Sequence, residues 1–72
     1  MSRTIMVTVH EGTPPDGALV LARFDTPGLY LADRSGDYLH GETWMEKTAK
    51  VTAYILMDDL EPAVERALKE GE

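Results

Sequence analysis

The first strong pattern in this chain is an alternation of apolar and polar positions near its start. Ile5, Val7 and Val9 alternate with other residue types across residues 3–10, and β-branched side chains dominate. A period of two with this composition is typical of a half-buried β-strand. Further apolar runs, each bounded by Gly, Pro or Asp turns, predict more strands. Their ranges are about 18–24, 29–33, 38–40 and 50–57.

The end of the chain has the period of a helix. From about residue 59 to residue 70, apolar side chains recur at spacings of three and four positions, which predicts an amphipathic helix. The stripe consists of Leu60, Ala63, Val64, Ala67 and Leu68. A helix this short is marginal in water on its own. We therefore expect it to dock on the sheet.

The signals at the helix ends are also in the sequence. Asp58 or Asp59 is suited to the N-cap position, and Asp58 with Glu61 matches a capping box. Pro62 is expected in the first turn, where its missing N–H costs little. Gly71 is expected to stop the helix.

Together these elements predict a single α+β domain over residues 1–72. Its core is expected to be a small antiparallel sheet of four to five strands in a hairpin meander, with one C-terminal amphipathic helix packed on it. The length of 72 residues leaves room for one domain. Residues 41–50 fit either a helical turn or an irregular edge strand.

The net charge of the chain limits the kinds of partner that it can bind. The formal net charge is −6, and residues 58–72 contain six acidic against two basic side chains. This sign opposes direct binding to nucleic acid, which needs clustered Lys and Arg. No apolar run approaches the ~20 residues of a membrane span. With no cysteine and no apolar leader at the start, we expect a cytoplasmic protein without a membrane partner.

The residues for catalysis are sparse. The serines are Ser2 and Ser35, neither in a nucleophile elbow, and there is no cysteine. His10 and His40 are the only histidines, which is too few for a usual structural zinc site. We expect no enzyme activity, no bound metal and no cofactor.

The candidate contact residues are aromatic and acidic. Trp44 and Met45 stand in an otherwise polar segment, and Tyr38 lies a few residues before them. Tryptophan and tyrosine concentrate at protein interfaces because they combine large area with a polar tip. The acidic candidates lie on the predicted helix, off its apolar stripe: Glu61, Glu65 and Glu70.

Several short motifs occur in one order along the chain. They are Pro15-Asp16-Gly17, Val20-Leu21, an isolated Trp44 and Val51-Thr52-x-Tyr54. Over roughly residues 5–57 this order resembles a group of small phage and prophage proteins of unknown function, which read P-x-D-G-x-x-V-L and close with V-T-x-W. The chain departs from them at Tyr54 and in the helix from Leu60. The resemblance implies a mobile-element accessory protein and assigns no catalytic residue.

Three hypotheses of function follow from the sequence. The first is a non-catalytic protein-binding module, a phage-type inhibitor of a host or defence protein that acts through its acidic surface. The second is a small-ligand binder, for a nucleotide or metabolite, or an accessory enzyme subunit. Its cleft would be lined by Tyr30, Tyr38, Tyr54 and His40. The third is a structural homodimerisation domain.

Overall fold

The computed structural model describes residues 1–70 and shows an antiparallel sheet followed by one helix. The strands are β1 His10–Glu11, β2 Leu19–Arg23, β3 Tyr30–Ser35, β4 Tyr38–His40, β5 Met45–Lys47 and β6 Ala53–Leu56, and the helix is α1 Met57–Lys69. All six strands form one sheet in the order β1-β6-β2-β3-β4-β5. This confirms the predicted α+β class, with one strand more than the upper end of the expected number.

The additional strand comes from the segment that the sequence left open. Residues 45–47 form β5, which pairs with β4, and Thr48–Lys50 form a turn of 3-10 helix that leads toward β6. Thr48 anchors this turn, because its N–H and its hydroxyl both donate to the Asp37 carbonyl, at 3.0 and 3.2 Å. Residues 41–50 thus contain an edge strand and a helical turn in succession.

The strand expected over residues 3–10 is much shorter in the structure. Only His10 and Glu11 pair with β6, opposite Tyr54 and Ala53. β6 ends at Leu56 and the chain turns directly into α1, so little extended backbone remains for earlier residues to pair with. Residues 3–6 lie beside the helix instead, where they border cavities together with the helix residues Ala63, Arg66 and Ala67 and with Glu70, the C-cap of the helix.

The two hairpins in the centre of the sheet follow from turn chemistry. β2 pairs with β3 through Val20↔Ala32 and Leu21↔Leu31. β3 continues to Ser35, two residues past the expected end, and the turn into β4 narrows to Gly36 and Asp37. Gly36 has φ 62, a backbone region that favours glycine and suits the first central position of a two-residue hairpin turn.

Strand register divides the side chains between two faces. Because side chains alternate along a strand, paired residues lie on the same face. On the inner face, five strand residues are buried and Val51 packs against them: Val20, Ala22, Ala32, Leu39 and Tyr54. On the outer face, the exposed side chains include Leu19, Leu31, Tyr38, His40 and Met45.

The loop before β2 is tied to the turn between β3 and β4. Arg34 donates from Nη1 to the Pro14 carbonyl at 2.7 Å and from Nε to the Gly36 carbonyl at 2.9 Å. The Gly36 N–H donates to Asp16 Oδ1 at 3.0 Å. Pro14 is fully buried. Pro14, and Asp16 of the Pro-Asp-Gly motif that follows it, therefore have a structural role: they anchor the loop against a neighbouring hairpin.

The start of α1 differs from the expected capping box. Leu56 occupies the N-cap position with an extended backbone and no side-chain cap hydrogen bond. Asp58 and Asp59 lie in the first turn instead, where negative charge is favourable next to the helix dipole. The expected cap is wrong because Leu56 is still paired with Val20 of β2, so no loop separates strand from helix. Pro62 consequently lies inside the helix.

The helix packs on the sheet through contacts with β2 and β6. None of its residues is fully buried. Leu60, Ala63 and Ala67 are half-buried, whereas Val64 and Leu68 remain 41% and 53% exposed. The apolar stripe is thus only partly covered, and the expected stop at Gly71 lies outside the described residues. In the part of the chain that the structure describes, no helix has the length and apolar character needed to cross a membrane.

Candidate functional site

Three aromatic side chains, two from one hairpin and one from a later loop, meet at one end of the sheet. Phe24 follows β2, Tyr30 begins β3, and Trp44 precedes β5. Their ring centroids are 5.8 Å apart for Phe24–Trp44 and 6.0 Å apart for the other two pairs. We call Phe24, Tyr30 and Trp44 the aromatic cup.

The ring geometry explains how the aromatic cup holds its shape. Trp44 lies nearly perpendicular to Phe24 and to Tyr30, with interplanar angles of 85° and 78°. Edge-to-face pairs of this kind contribute about 0.5–1.5 kcal/mol each beyond burial. Phe24 and Trp44 also pack against the buried core, while Tyr30 is 41% exposed. The core therefore holds Phe24 and Trp44 in place, whereas Tyr30 is open to solvent.

Gly41 leaves the space that the Trp44 ring occupies. The Gly41 N–H donates to the Trp44 carbonyl at 2.8 Å, which closes a short loop between β4 and β5. The indole ring lies directly against Gly41, in the space that a Cβ at this position would occupy. The position of Trp44 therefore depends on a residue without a side chain at position 41.

The aromatic cup borders an open cavity of about 360 Å³ with a charged rim. Asp25, Thr26, Glu46 and Lys50 complete the lining. Glu46 Oε1 accepts from the Lys47 N–H at 3.1 Å and lies 3.5 Å from Lys50 Nζ. The hydrogen bond from Lys47, followed by the charge of Lys50, lowers the pKa of Glu46 from its ordinary value of 4.5. The site thus combines aromatic walls with the carboxyl groups of Asp25 and Glu46.

The aromatic and sulfur candidates from the sequence lie on different surfaces. Trp44 belongs to the aromatic cup. Met45 is 58% exposed and shares the outer face with His40, its partner in the β4–β5 pairing. Tyr38, 39% exposed, also lies on this outer face. Adjacent residues diverge here because Trp44 precedes the strand and Met45 begins it.

The three acidic candidates do not share one side of the helix. An α-helix turns about 100° per residue, so Glu61 and Glu65 lie on neighbouring positions of the same side. Glu70, nine positions after Glu61, lies on the opposite side. It borders a cavity with Arg3, Thr4 and Ala67. The acidic surface of the helix is therefore divided in two.

The alternative cleft of Tyr30, Tyr38, Tyr54 and His40 does not form. Tyr54 is buried on the inner face and stacks on His10, with centroids 5.1 Å apart and rings 17° from parallel. Tyr38 and His40 point to the outer face. Tyr30 and His40 both border a second cavity of about 580 Å³, but Tyr38 and Tyr54 do not line it.

Sequence reasoning did not single out most of the lining, including Phe24, Asp25, Thr26 and Lys50. A local signal existed for Phe24. Phe24 and Tyr30 flank the turn at residues 25–28, so pairing of the two strands brings both aromatic residues to the same end of the hairpin. Lys50 and Trp44 reach the site only through the path of β5 and the 3-10 turn, which no local pattern specifies.

The lining of the site offers aromatic, carboxylate, hydroxyl and ammonium side chains as binding groups. Among residues 1–70, no three His, Asp or Glu side chains lie close enough together to hold a metal ion. His10 and Asp59 form a single pair, 3.7 Å apart, and neither residue lines the cavity at the aromatic cup.

No protein-family model, curated protein or solved structure matches this chain. The function of the site must therefore be argued from its geometry and its charge.

Proposed function

We propose that this chain is a non-catalytic protein-binding module whose contact site is the aromatic cup. The observation that supports this is the meeting of three aromatic rings around an open cavity of about 360 Å³. Aromatic side chains dominate binding energy in protein interfaces, because they bury a large area at low cost in side-chain entropy. Tyr30 is the accessible member of the cup and is the residue that a partner would meet first.

Charge supports a basic partner surface. The net charge is −6, and Glu61 and Glu65 form an acidic side of α1. Complementary charge mainly accelerates association and selects between partners. We propose that the acidic helix steers a basic partner while the aromatic cup supplies the affinity. An inhibitory role in a mobile-element setting inside the cytoplasm extends this proposal, and it rests on the sequence resemblance alone.

Selection from a displayed random peptide library tests the proposal. The 72-residue chain is the bait, and enriched peptides are remeasured against two variants. Tyr30→Leu removes one ring of the aromatic cup while keeping an apolar side chain. Tyr38→Leu is the matched control, because Tyr38 has a similar exposure of 39% but lies on the outer face.

We expect enriched peptides whose affinity falls at least tenfold in Tyr30→Leu, since truncated interface aromatics commonly cost more than about 1.4 kcal/mol. Tyr38→Leu should leave the affinity unchanged. Failure to enrich any peptide, or equal binding by the two variants, would refute the aromatic cup as the contact site.

A second candidate, small-ligand binding, is favoured by the size of the same cavity. Its volume lies at the lower end of the range of about 300–1,000 Å³ that ligand pockets occupy. A thermal-shift screen with nucleotides and metabolites distinguishes the candidates. Stabilisation by one compound that is lost in Tyr30→Leu would favour the small ligand. The homodimer hypothesis remains a prediction, which sedimentation at micromolar concentration tests.

A further inference from the structure

The carboxylate of Asp25 is the least engaged charge at the aromatic cup. Asp25 follows Phe24 directly and lines the cavity. Within residues 1–70, no side-chain hydrogen bond or ion pair involves its carboxylate. The free oxygens of Asp25 are thus available to a ligand that occupies the cavity.

The other two charges at the rim offset each other. Glu46 and Lys50 are paired at 3.5 Å and are four residues apart along the chain. Glu46 also accepts a backbone hydrogen bond from Lys47 at 3.1 Å. With this pair near neutrality, Asp25 gives the cavity a net negative charge. A cation is therefore the complementary ligand.

The aromatic walls favour one type of cation. Aromatic faces attract cations within about 6 Å of the ring centroid. Among protein side chains, the guanidinium of arginine is planar, weakly hydrated and able to stack on aromatic rings, and its N–H fork matches a carboxylate. A lysine ammonium is more strongly hydrated and lacks the planar shape. Arginine thus matches both features of the site, since its guanidinium can stack on the aromatic rings and donate to the free carboxylate.

We propose that the aromatic cup binds an arginine side chain presented by a partner protein, with the guanidinium against the rings and its N–H groups donating to Asp25. This rests on the proposed function, and it adds the chemistry of the group that is recognised. The opening of the cavity at the exposed Tyr30 allows the side chain to enter from solvent.

Trp44 makes this proposal directly measurable. It is the only tryptophan of the chain, so intrinsic fluorescence and the indole N–H resonance both report on the aromatic cup. The probe is an acetylated and amidated Gly-Gly-Arg-Gly-Gly peptide. Two matched peptides carry citrulline, which has the shape of arginine without its charge, or lysine at the central position.

We expect the arginine peptide to shift the Trp44 signals with a dissociation constant in the millimolar range. The citrulline peptide should bind about tenfold more weakly, because it loses both the cation–π attraction and the charge-assisted hydrogen bonds. The lysine peptide should bind more weakly than the arginine peptide. Equal binding of arginine and citrulline peptides, or no response to arginine, would overturn the proposal.

Two aspartate variants locate the interaction. Asp25→Asn keeps the turn preference of the residue while removing its charge, and we expect it to weaken the arginine peptide about fivefold to tenfold. Asp37→Asn is the matched control, because Asp37 is also an exposed hairpin-turn residue and lines neither cavity that the aromatic cup borders. An unchanged affinity in Asp25→Asn would contradict the assigned role of Asp25.

The two proposals can fail separately. If library selection yields peptides that depend on Tyr30 but lack arginine and ignore Asp25→Asn, the aromatic cup is a binding site and arginine is not its ligand. If no peptide depends on Tyr30, the protein-binding function fails together with the arginine assignment.

Discussion

Single residues in this chain divide between those that hold the loops and those that form the aromatic cup. Asp16 and Arg34 tie the loop before β2 to the β3–β4 turn. Thr52 ties the start of β6 to the end of β2, because its N–H and hydroxyl donate to the Arg23 carbonyl at 2.9 and 3.1 Å. These side chains belong to or contact the motifs behind the sequence resemblance. Of those motifs, only Trp44 reaches the proposed binding site.

Gly41→Ala should displace the Trp44 indole, since the added Cβ would occupy the space of the ring. The backbone at Gly41 is not in the left-handed region, so alanine there adds no backbone strain to the measured loss of stability. Overpacking of this kind typically costs about 1–3 kcal/mol. Denaturant unfolding measures the stability, and Trp44 fluorescence reports the displacement.

A second background isolates the cause of this effect. In a Trp44→Leu protein the ring is absent, and Gly41→Ala should cost much less than in the wild type. An equal loss of stability in both backgrounds would show that Gly41 is needed for the backbone and not to make room for the Trp44 ring.

Glu46 should titrate below its ordinary pKa of 4.5, because the Lys47 N–H donates to the carboxylate and Lys50 lies nearby. The folded state then keeps Glu46 ionised to lower pH than the unfolded chain does. Its contribution to stability is present above the unfolded pKa and is lost as the pH falls through the folded value. An NMR titration of the side-chain carboxyl carbons measures this pKa.

Lys50→Met separates the two causes of the Glu46 shift. The pKa of Glu46 should rise only partly in this variant, because the hydrogen bond from Lys47 is the larger cause. A return to the ordinary value would instead make the charge of Lys50 dominant.

Among the elements, α1 departs most clearly from its local sequence signals, because it begins before the residues suited to start a helix. The helix begins at Met57 because β6 runs into it without a loop, and this places Pro62 at the sixth helical residue. Proline there cannot donate to the Asp58 carbonyl, and its ring crowds the same carbonyl. The helix also leaves part of its apolar stripe exposed at Val64 and Leu68. The sheet therefore determines where this helix starts, at a cost to its own hydrogen bonds.

Pro62→Ala should stabilise the protein. Interior proline costs about 3 kcal/mol relative to alanine, and the gain is reduced by about 0.4–1 kcal/mol because proline also restricts the unfolded chain. We expect a net gain of about 2 kcal/mol in chemical denaturation. Pro15→Ala, in the exposed loop before β2, is the control and should show no gain. A destabilised Pro62→Ala would place Pro62 in the first turn, as the sequence predicted.

At the scale of the whole molecule, the structure is elongated, with extents of 42 × 23 × 23 Å. The buried core lies on the inner face of the sheet. The first residues of the chain lie next to α1 and outside this core. Ile5 and Val7 are half-buried, whereas Met6 and Val9 are exposed. The N-terminal segment is thus attached to the helix by side chains rather than to the sheet by backbone hydrogen bonds.

Amide hydrogen exchange should separate these two regions. The amides of residues 4–9 make no backbone hydrogen bond in the structure and should exchange rapidly. The amides that β2 and β6 share should exchange most slowly, since these strands carry the buried Val20, Ala22 and Tyr54. Strong protection at Val7 and Val9 would instead support the longer strand that the alternating sequence predicts.

The sequence by itself determined the α+β class, the central hairpins and the C-terminal helix, since each depends on local periodicity and on turn residues such as Gly36. The extent of β1 and the start of α1 depend on which backbone groups remain free once β2 and β6 have paired, and β5 depends on the edge that β4 leaves free. Only the tertiary structure therefore decided them. The aromatic cup has the same origin. Phe24 and Tyr30 meet across a turn, but Trp44 joins them because β5 returns along β4 and Gly41 leaves room for the ring.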